Sequence, residues 1–559
     1  MCGIFGIINY NKNNLTNIKK EFNKGINRGP EFSIMKDYNN LLFGFHRLAI
    51  NGLNDESNQP FEINNIVLIC NGEIYNYQEL AKDNNIILST DSDCEIILHL
   101  YKYYGIEYTL NLLDGVFAFI LYDKNINKTF IARDPYGVRP LFYLCEANSI
   151  YFASELKSLY NLAIRKYLIT NFTPGNYMLV NNYNLEYYTS KFTTYPCRNI
   201  NYYTNINNDL YNNIINYISD AVKKRVIGTT ERPVACLLSG GLDSSLIASL
   251  VNKYYIDPSN LMQEPLKTFS IGLEGSEDLK YAAIVAKHLN TEHHEIIVNE
   301  DDFFNAIPEV IKSIESYDTT TVRASVGNYL IGKYIKENSD CKVIFNGDGA
   351  DELMGGYLYF RMAPNAYEFD KECRRLLQDI HSFDVLRSDR CISSHGLEPR
   401  TPFLDRKWVE FYLSIDRYLR FNSTKHNCEK YLIRKAFSEL MPDLLPKEIL
   451  WRTKEAFSDG VSSLQKSWFQ IIKEKILDMN ITEKLTKTIL TYNKLNISAN
   501  IPETYEQAYY RYLYNKYYIG TDHLIPYFWM PKYVNAKDAS ARTLKCYNNN
   551  NSNSNSNSN

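Results

Sequence analysis

The chain has no CxxC pair and no group of histidines and cysteines at metal-ligand spacing, although its 559 residues include eleven cysteines and nine histidines. An odd set of cysteines, at 2, 70, 94, 145, 197, 236, 341, 373, 391, 428 and 546, is no disulfide framework and predicts reduced thiols in the cytoplasm. Apolar runs of bilayer-spanning length are also missing. The opening Met-Cys-Gly-Ile-Phe-Gly-Ile-Ile is short and lacks a basic flank, so neither a signal peptide nor a membrane anchor is expected. Nor is there an excess of either charge: 61 Lys and Arg against 64 Asp and Glu leave −3, which gives no long-range attraction for nucleic acid or anionic lipid. With 45% hydrophobic and 22% charged residues, the chain can bury sizeable cores, and its length suits two large domains or three to four ordinary ones.

Up to about residue 190, short apolar or alternating runs such as Ile66 to Cys70, Val116 to Tyr122 and Leu141 to Tyr143 predict strands, with helical spacing at Glu95 to Tyr101. Phe192 to Asn208 is rich in Thr, Tyr, Asn and Pro without periodicity and reads as a linker. The expected domains are therefore 1–191 and 209–536, with 537–559 as a C-terminal extension ending in a disordered Asn/Ser tail. Beyond the linker, Leu210 to Lys224 predicts an amphipathic helix. Strands at Val234 to Leu238, Leu266 to Ile271, His294 to Val298 and Val343 to Phe345 then alternate with helices, which predicts a parallel α/β sheet, and after about 370 helical periods dominate.

Cys2 follows the initiator methionine. Once that residue is removed, the thiol, with a pKa near ~8.5, lies beside an α-amine with a pKa near ~8, so nucleophile and base come as one residue. Asn71-Gly72-Glu73 follows a strand-like run, where an Asn amide and a Gly N–H can form an oxyanion hole. Arg47 has the fork suited to a carboxylate, and Glu73 and Asp93 could hold an ammonium group. Taken singly, these three charges read as solvated surface. Together they match an amino acid with an amide side chain.

Cys2-Gly3-Ile4, Arg28-Gly29-Pro30, Asn71 to Asn76 and Arg133 to Leu141 resemble the class II glutamine amidotransferase domain. The resemblance implies a four-layer αββα sandwich of the N-terminal-nucleophile type, Cys2 as nucleophile and Asn71 and Gly72 as oxyanion hole. Glutamine would be recognised by Arg47, Glu73 and Asp93, with backbone groups across Leu48, Ala49, Ile50 and Asn51. Asn27 and Glu31 stand where the family usually has His and Asp around Arg-Gly-Pro.

The run Val234 to Leu238 leads into Ser239-Gly240-Gly241-Leu242-Asp243-Ser244-Ser245 and then an apolar-periodic stretch: strand, loop, helix. The backbone N–H groups of such a glycine turn, with the positive helix end, cradle phosphate, and Asp243 is placed to hold Mg²⁺. No Walker lysine is present. A second strand, Val343 to Phe345, ends in Asn346-Gly347-Asp348-Gly349-Ala350-Asp351-Glu352, and two such loops define a crevice. The first loop resembles the pyrophosphatase loop of enzymes that cleave ATP between the α and β phosphates.

With the domain order and Tyr317 to Ser325, Gly396 to Asp405, Trp451 to Gly460 and Lys537 to Cys546, nearly the whole chain resembles the glutamine-hydrolysing asparagine synthetase family. That implies a C-terminal α/β parallel sheet of ATP pyrophosphatase type with added helices. Leu237, Ser239, Gly240, Gly241, Asp243, Ser244, Ile271, Asn346 and Gly347 would bind ATP, and Asp243 and Asp351 would hold Mg²⁺ on the pyrophosphate. Thr320, Thr321, Arg323 and Asp351 would form the aspartate or pyrophosphate site. Lys454 would neutralise charge on the reacting groups, and Asp348 would stand where the family uses Glu in forming a β-aspartyl adenylate. Ser, Glu and Ser of the family's second loop are here Asn346, Asp348 and Ala350. The expected substrates are glutamine, aspartate and ATP, with no nucleic acid or membrane partner. The resemblance leaves room for a homodimer, for another amidating or cyclising enzyme of this plan, and for a silent homologue that binds partners.

Overall fold

Strands covered on both faces read as continuous apolar runs, because alternate side chains enter different cores. In Ile66–Ile74, Val67 and Ile69 enter one core while Leu68 and Cys70 enter another; in Gly115–Asp123, Ala118 and Ile120 join the first, and Phe117, Phe119 and Leu121 the second. The first core lies between two six-stranded antiparallel sheets. One runs in the order Thr170–Asn171, Phe142–Glu146, Ser149–Ala153, Gly3–Ile8, Leu41–Arg47, Phe32–Tyr38, and the other Tyr187–Lys191, Asn176–Asn181, Lys128–Arg133, Gly115–Asp123, Ile66–Ile74, Phe61–Ile63. A Cβ on Gly6 would lie 2.6 Å from Ile120 Cδ1, so glycine sets the approach of the sheets there. Helices cover the outer faces: Leu15–Phe22 on the first sheet, Tyr77–Asp83 and Ile96–Leu112 on the second. This is the expected four-layer αββα arrangement.

The structure, a computed structural model, describes residues 2–193, 203–229, 231–255, 264–421, 428–455, 457–463, 465–495, 500–536 and 538–543. Most of the expected linker, and the expected Asn/Ser tail, lie outside these residues. Helix Asn208–Ile227 begins with Asn207 accepting from Leu210 N at 2.8 Å, a cap that contributes about 1 kcal/mol. Its Leu210, Ile214, Ile218, Ala221 and Val222 share one buried face.

The second half holds a five-stranded parallel sheet in the order Glu292–Val298, Lys267–Leu273, Val234–Leu237, Val343–Phe345, Glu398–Arg400. Chain order reverses at Val234–Leu237, and the crevice beyond the carboxyl ends of that strand and Val343–Phe345 is where such sheets bind ligands. Four strands fall where the sequence predicts them. The fifth, Glu398–Arg400, carries Pro399 and two charges; it is tolerated at the sheet edge, and Arg400 Nε donates to Glu398 Oε1 at 2.6 Å.

The halves share cores and buried ion pairs. Leu48, Ile50, Val116, Tyr136 and Val138 pack with Leu210, Ile214 and Val234. Arg28 donates to Asp389 at 2.7 and 3.1 Å, and Glu315 accepts from the backbone N–H groups of Leu156 and Lys157 at 2.9 and 2.8 Å.

Candidate active sites

The first site forms where Gly3–Ile8 begins and Ile66–Ile74 ends. Cys2 N donates to Asn71 Oδ1 at 3.1 Å, and the Cys2 thiol points to Leu48 O at 3.8 Å. With its oxygen engaged, Asn71 is oriented so that Nδ2 is a fully buried donor with no partner among the described residues, a group that costs stability unless something accepts from it. Beside it, a Cβ on Gly72 would strike Val116 O at 2.7 Å and Phe117 Cβ at 2.9 Å, so only glycine fits. Burial pushes the Cys2 thiol pKa up, so the thiol needs a nearby base. Arg28 Nε donates to Cys2 O at 3.0 Å and anchors that end of the strand.

Glu73 and Asp93 approach the same region. Burial raises the pKa of Glu73, partly offset by Arg400 at 3.2 Å, and burial brings Asp93 to about 6, against the pull of the Ile74 N–H it accepts at 2.6 Å. Asn51 Nδ2 donates to Glu73 Oε2 at 3.1 Å. Arg47 is buried, and its guanidinium donates to Asn54 O at 3.0 Å and Asn58 Oδ1 at 2.8 Å, and also to Asn51 O and Gly52 O. It thus organises the loop that carries Asn51. Glu31 accepts from Ala49 N at 2.7 Å and pairs with Arg232 at 2.8 Å, tying this wall to the second half.

The second site is the crevice of the parallel sheet, a cavity of about 160 Å³. Leu237, Ser239, Gly241, Asp243, Ser244, Ile271, Asn346, Gly347, Asp348, Asp351, Lys454 and Thr320 all line it. Gly240, with φ +68°, packs against the helix Glu277–Leu289, where a Cβ would come within 2.4 Å of Tyr281. The first loop is closed by a Ser239–Ser244 hydroxyl contact of 3.0 Å. A Cβ on Gly347 would lie 2.9 Å from Asp243 Cβ, so the two loops pack backbone against side chain. Asn346 Nδ2 donates to Ser388 Oγ at 2.6 Å while its Oδ1 accepts from Asp348 N at 3.2 Å. This departure from the family pattern therefore shapes the second loop.

Thr320 Oγ1 is buried without a partner among the described residues. Its neighbours differ. Thr321 donates its N–H and hydroxyl to Asp318, at 2.9 and 2.8 Å, capping the helix Thr319–Asn338. Arg323 turns away from the cavity: it donates to Glu506 at 2.8 and 2.6 Å and to Asp538 at 2.8 and 2.7 Å. Of the three helix residues expected at this site, Thr320 lines the crevice, together with Ala324 and Asn328 of the same helix, and Thr321 and Arg323 do not.

Charge converges on the phosphate loop. Lys454 Nζ lies 2.6 Å from Asp351 Oδ2 and 3.5 Å from Asp243 Oδ2, and Lys430 Nζ lies 2.5 Å from each of those two side chains. Burial would raise the pKa of Asp351, but the two lysines hold it far below the usual carboxylate range. Burial works against the Lys454 ammonium, yet Asp351 and Asp243 keep it well above its ordinary value. Among the described residues no group of three or more His, Cys, Asp or Glu gathers as a metal centre. Two carboxylates within reach of shared cations fit Mg²⁺ that takes its remaining ligands from phosphate and water.

A family model for a glutamine amidotransferase domain matches residues 1–192, and one for asparagine synthase matches 214–368 and 361–496. Asparagine synthetase [glutamine-hydrolyzing] of Gallus gallus is 42% identical, and that of Homo sapiens 41%, each over 93% of this chain and 95% of the relative. The chain belongs to the glutamine-hydrolysing asparagine synthetase family. A solved glutamine phosphoribosylpyrophosphate amidotransferase from B. subtilis aligns with 53% of this chain and 81% of its own at 17% identity, with a TM-score of 0.29, too slight a likeness to bear on the site.

Within this member of the family, several residues around the sites escape sequence reasoning. Arg387 joins Asp348 and Asp384 at 2.9 and 2.6 Å, Arg400 reaches Glu73, and Lys430 bridges Asp243 and Asp351. Each lies on a segment whose motif gives no hint of phosphate or ammonium chemistry. The nearest signal was the loop's missing lysine, which calls for a cation from elsewhere.

Proposed function

We propose that this protein makes L-asparagine from L-aspartate, ATP and glutamine-derived ammonia, by way of a β-aspartyl adenylate. The observation that carries the reading is the presence in one chain of Cys2 against an unused Asn71 amide and of Lys454, Asp243 and Asp351 over a phosphate loop. Residues 1–191 act as the glutaminase and 209–536 as the synthetase.

After removal of Met1, the Cys2 amine takes the thiol proton and Sγ attacks the glutamine side-chain carbonyl. Asn71 Nδ2 and the Gly72 N–H receive the oxyanion, the proton passes to the leaving nitrogen, and water hydrolyses the thioester to glutamate. Glu73 and Asp93 bind the glutamine ammonium, and Arg47 shapes the wall opposite. At the second site the glycine loop and the start of helix Leu242–Tyr255 cradle the phosphates. The aspartate β-carboxylate attacks the α phosphorus, pyrophosphate leaves with the bond electrons, and ammonia then displaces AMP. Lys454 and Asp348 stand beside the reacting groups. Asp243 and Asp351 would hold Mg²⁺, which when bound supplies positive charge to the pyrophosphate.

Ammonia is mostly protonated in neutral water and a poor nucleophile there, so an enclosed path between the halves favours the second step. The nine described cysteines form no disulfide with one another, which is compatible with a cytoplasmic setting, and no helix among the described residues is long and apolar enough to cross a membrane. Mass spectrometry of products after incubation with glutamine, aspartate and Mg·ATP tests the reading: asparagine, AMP and pyrophosphate are expected. ADP with phosphate, or no asparagine, would overturn it.

A further inference from the structure

Helix Thr319–Asn338 gives the crevice one stripe of its surface. Thr320, Ala324, Asn328 and Ile331 all line the cavity, at the spacing that keeps side chains on one helix face. Thr320 starts the stripe, and Asn328 stands just over two turns further on, about 12 Å along the axis. The walls differ along the cavity. Asp243, Asp351, Lys430 and Lys454 meet at the phosphate loop, whereas the helix at the level of Asn328 packs on apolar side chains: a Cβ on the preceding Gly327 would lie 2.9 Å from the Phe457 ring and 3.6 Å from Ile271 Cγ2. Phe457, Ile271, Phe269 and Leu237 line the same cavity. Asn328 is only 6% exposed, and its amide makes no hydrogen bond with any described residue. An amide so placed costs about 1–3 kcal/mol until a partner arrives. Asn346, another residue of this cavity, shows the structural alternative, with its amide engaged by Ser388 and by the Asp348 N–H.

Packing alone would favour leucine or methionine in place of Asn328, since either fills a similar volume and leaves no polar group unpaired. We propose that Asn328 is a specificity-determining residue that reads the base of the nucleotide: its Oδ1 accepts from the 6-amino group of adenine while Nδ2 donates to the ring nitrogen beside it, and the flat of the base lies against Phe457 and Ile271. This inference rests on the reading of the second site as an ATP-binding centre and adds how that centre recognises the base. An amide presents one acceptor and one donor side by side, which is the complement of adenine's amino group and adjacent nitrogen. A purine without the amino group leaves Oδ1 unpaired in an apolar wall. A site built around a hydrogen bond discriminates strongly against the analogue that lacks it.

The test is equilibrium binding to the full chain, without aspartate or glutamine, by calorimetry with three probes: AMP, purine riboside 5′-monophosphate, which lacks the 6-amino group, and Mg·pyrophosphate, which has no base. The wild type should prefer AMP to the purine nucleotide by at least about tenfold. Asn328→Leu should bring the two within about threefold by weakening AMP, and leave Mg·pyrophosphate unchanged. Asn328→Ala removes the amide without adding bulk, should show the same narrowing, and carries the test if the leucine variant does not fold. A packing role would move both nucleotides together. An unchanged preference in the variants, a wild type that does not distinguish the two nucleotides, or a loss of Mg·pyrophosphate as large as that of AMP would overturn the proposal. None of these outcomes depends on asparagine being the product, so failure here leaves that reading to its own assay.

Discussion

Replacing Asp348 separates a cost in folding from a cost in chemistry. Its Oδ1 accepts from Arg387 Nη2 at 2.9 Å, and the same guanidinium donates to Asp384 Oδ1 at 2.6 Å. Burial raises the pKa of Asp348, and Arg387 opposes the rise. In Asp348→Ala, Arg387 therefore keeps one carboxylate. The stability lost is that of one charged hydrogen bond, about 1.5–3 kcal/mol, rather than the 3–5 kcal/mol or so of an orphaned buried charge. The chemical loss is larger: a charge aimed at a reacting centre is worth roughly a hundredfold or more in rate. Aspartate-dependent ATP–pyrophosphate exchange should thus fall by at least about a hundredfold, while thermal melting still shows a cooperative transition. Asp348→Glu restores the family's longer stem, moving the carboxylate by about an ångström, and should retain exchange within about a hundredfold. Unchanged exchange and asparagine yield in a folded Asp348→Ala protein would refute the reasoning and shift attention to Glu352 and Asp384.

Cys2→Ala should abolish glutamine-dependent synthesis and retain synthesis from ammonium salts; equal loss of both would contradict two separate sites. In the same variant, glutamine affinity measured by calorimetry should fall as pH drops through about 6, because Asp93, raised to that value by burial, becomes neutral and no longer attracts the ammonium. The loss approaches roughly tenfold per pH unit below the pKa, and a flat profile between neutral pH and mild acid would exclude Asp93 from recognition. Arg400→Met removes the partner that Glu398 and Glu73 share, while Glu398 keeps Arg139 at 3.4 Å and Glu73 keeps Asn51 at 3.1 Å, so melting should show a destabilisation of about 1.5–3 kcal/mol, with glutamine-dependent synthesis falling further than ammonium-dependent synthesis; equal loss of the two would argue against a role at the glutamine site.

What the sequence disclosed and what it hid follow one physical line. Strands and loops of the second half were legible because apolar runs ending in Gly-Gly and Gly-Asp-Gly announce both a buried strand and a phosphate turn. That Cys2 would meet Asn71 and Gly72 was legible because each stands in a short motif of its own, and the structure brings the two motifs together. Arg323 shows the limit: a motif gives its position on a helix, but the side it faces depends on Glu506 and Asp538, far along the chain. Lys430 and Arg387 were hidden because a cation acting across the fold carries no local signature. Glu398–Arg400 was hidden because its charges find partners only when the halves meet.

That short strand also bears on how two chemistries share one chain. Arg400 directs its guanidinium at Glu73, 3.2 Å away, where the glutamine ammonium is expected, while its carbonyl accepts the N–H of Asn346 at 3.1 Å, the residue that opens the Asp348 loop. A single residue therefore touches both sites. If Glu73 receives the glutamine ammonium, as proposed, that ammonium competes for the carboxylate that Arg400 holds, and Arg400 also pairs with Phe345 in the register of Val343–Phe345 with Glu398–Arg400. Intermediate position alone does not make a coupling; what counts is an element whose arrangement both ligands bias. Here the element that touches both sites is three residues long, buried and ion-paired at each end, so a test of coupling is whether Arg400→Met changes the dependence of ATP–pyrophosphate exchange on glutamine; no change would show that the strand only holds the two loops in place.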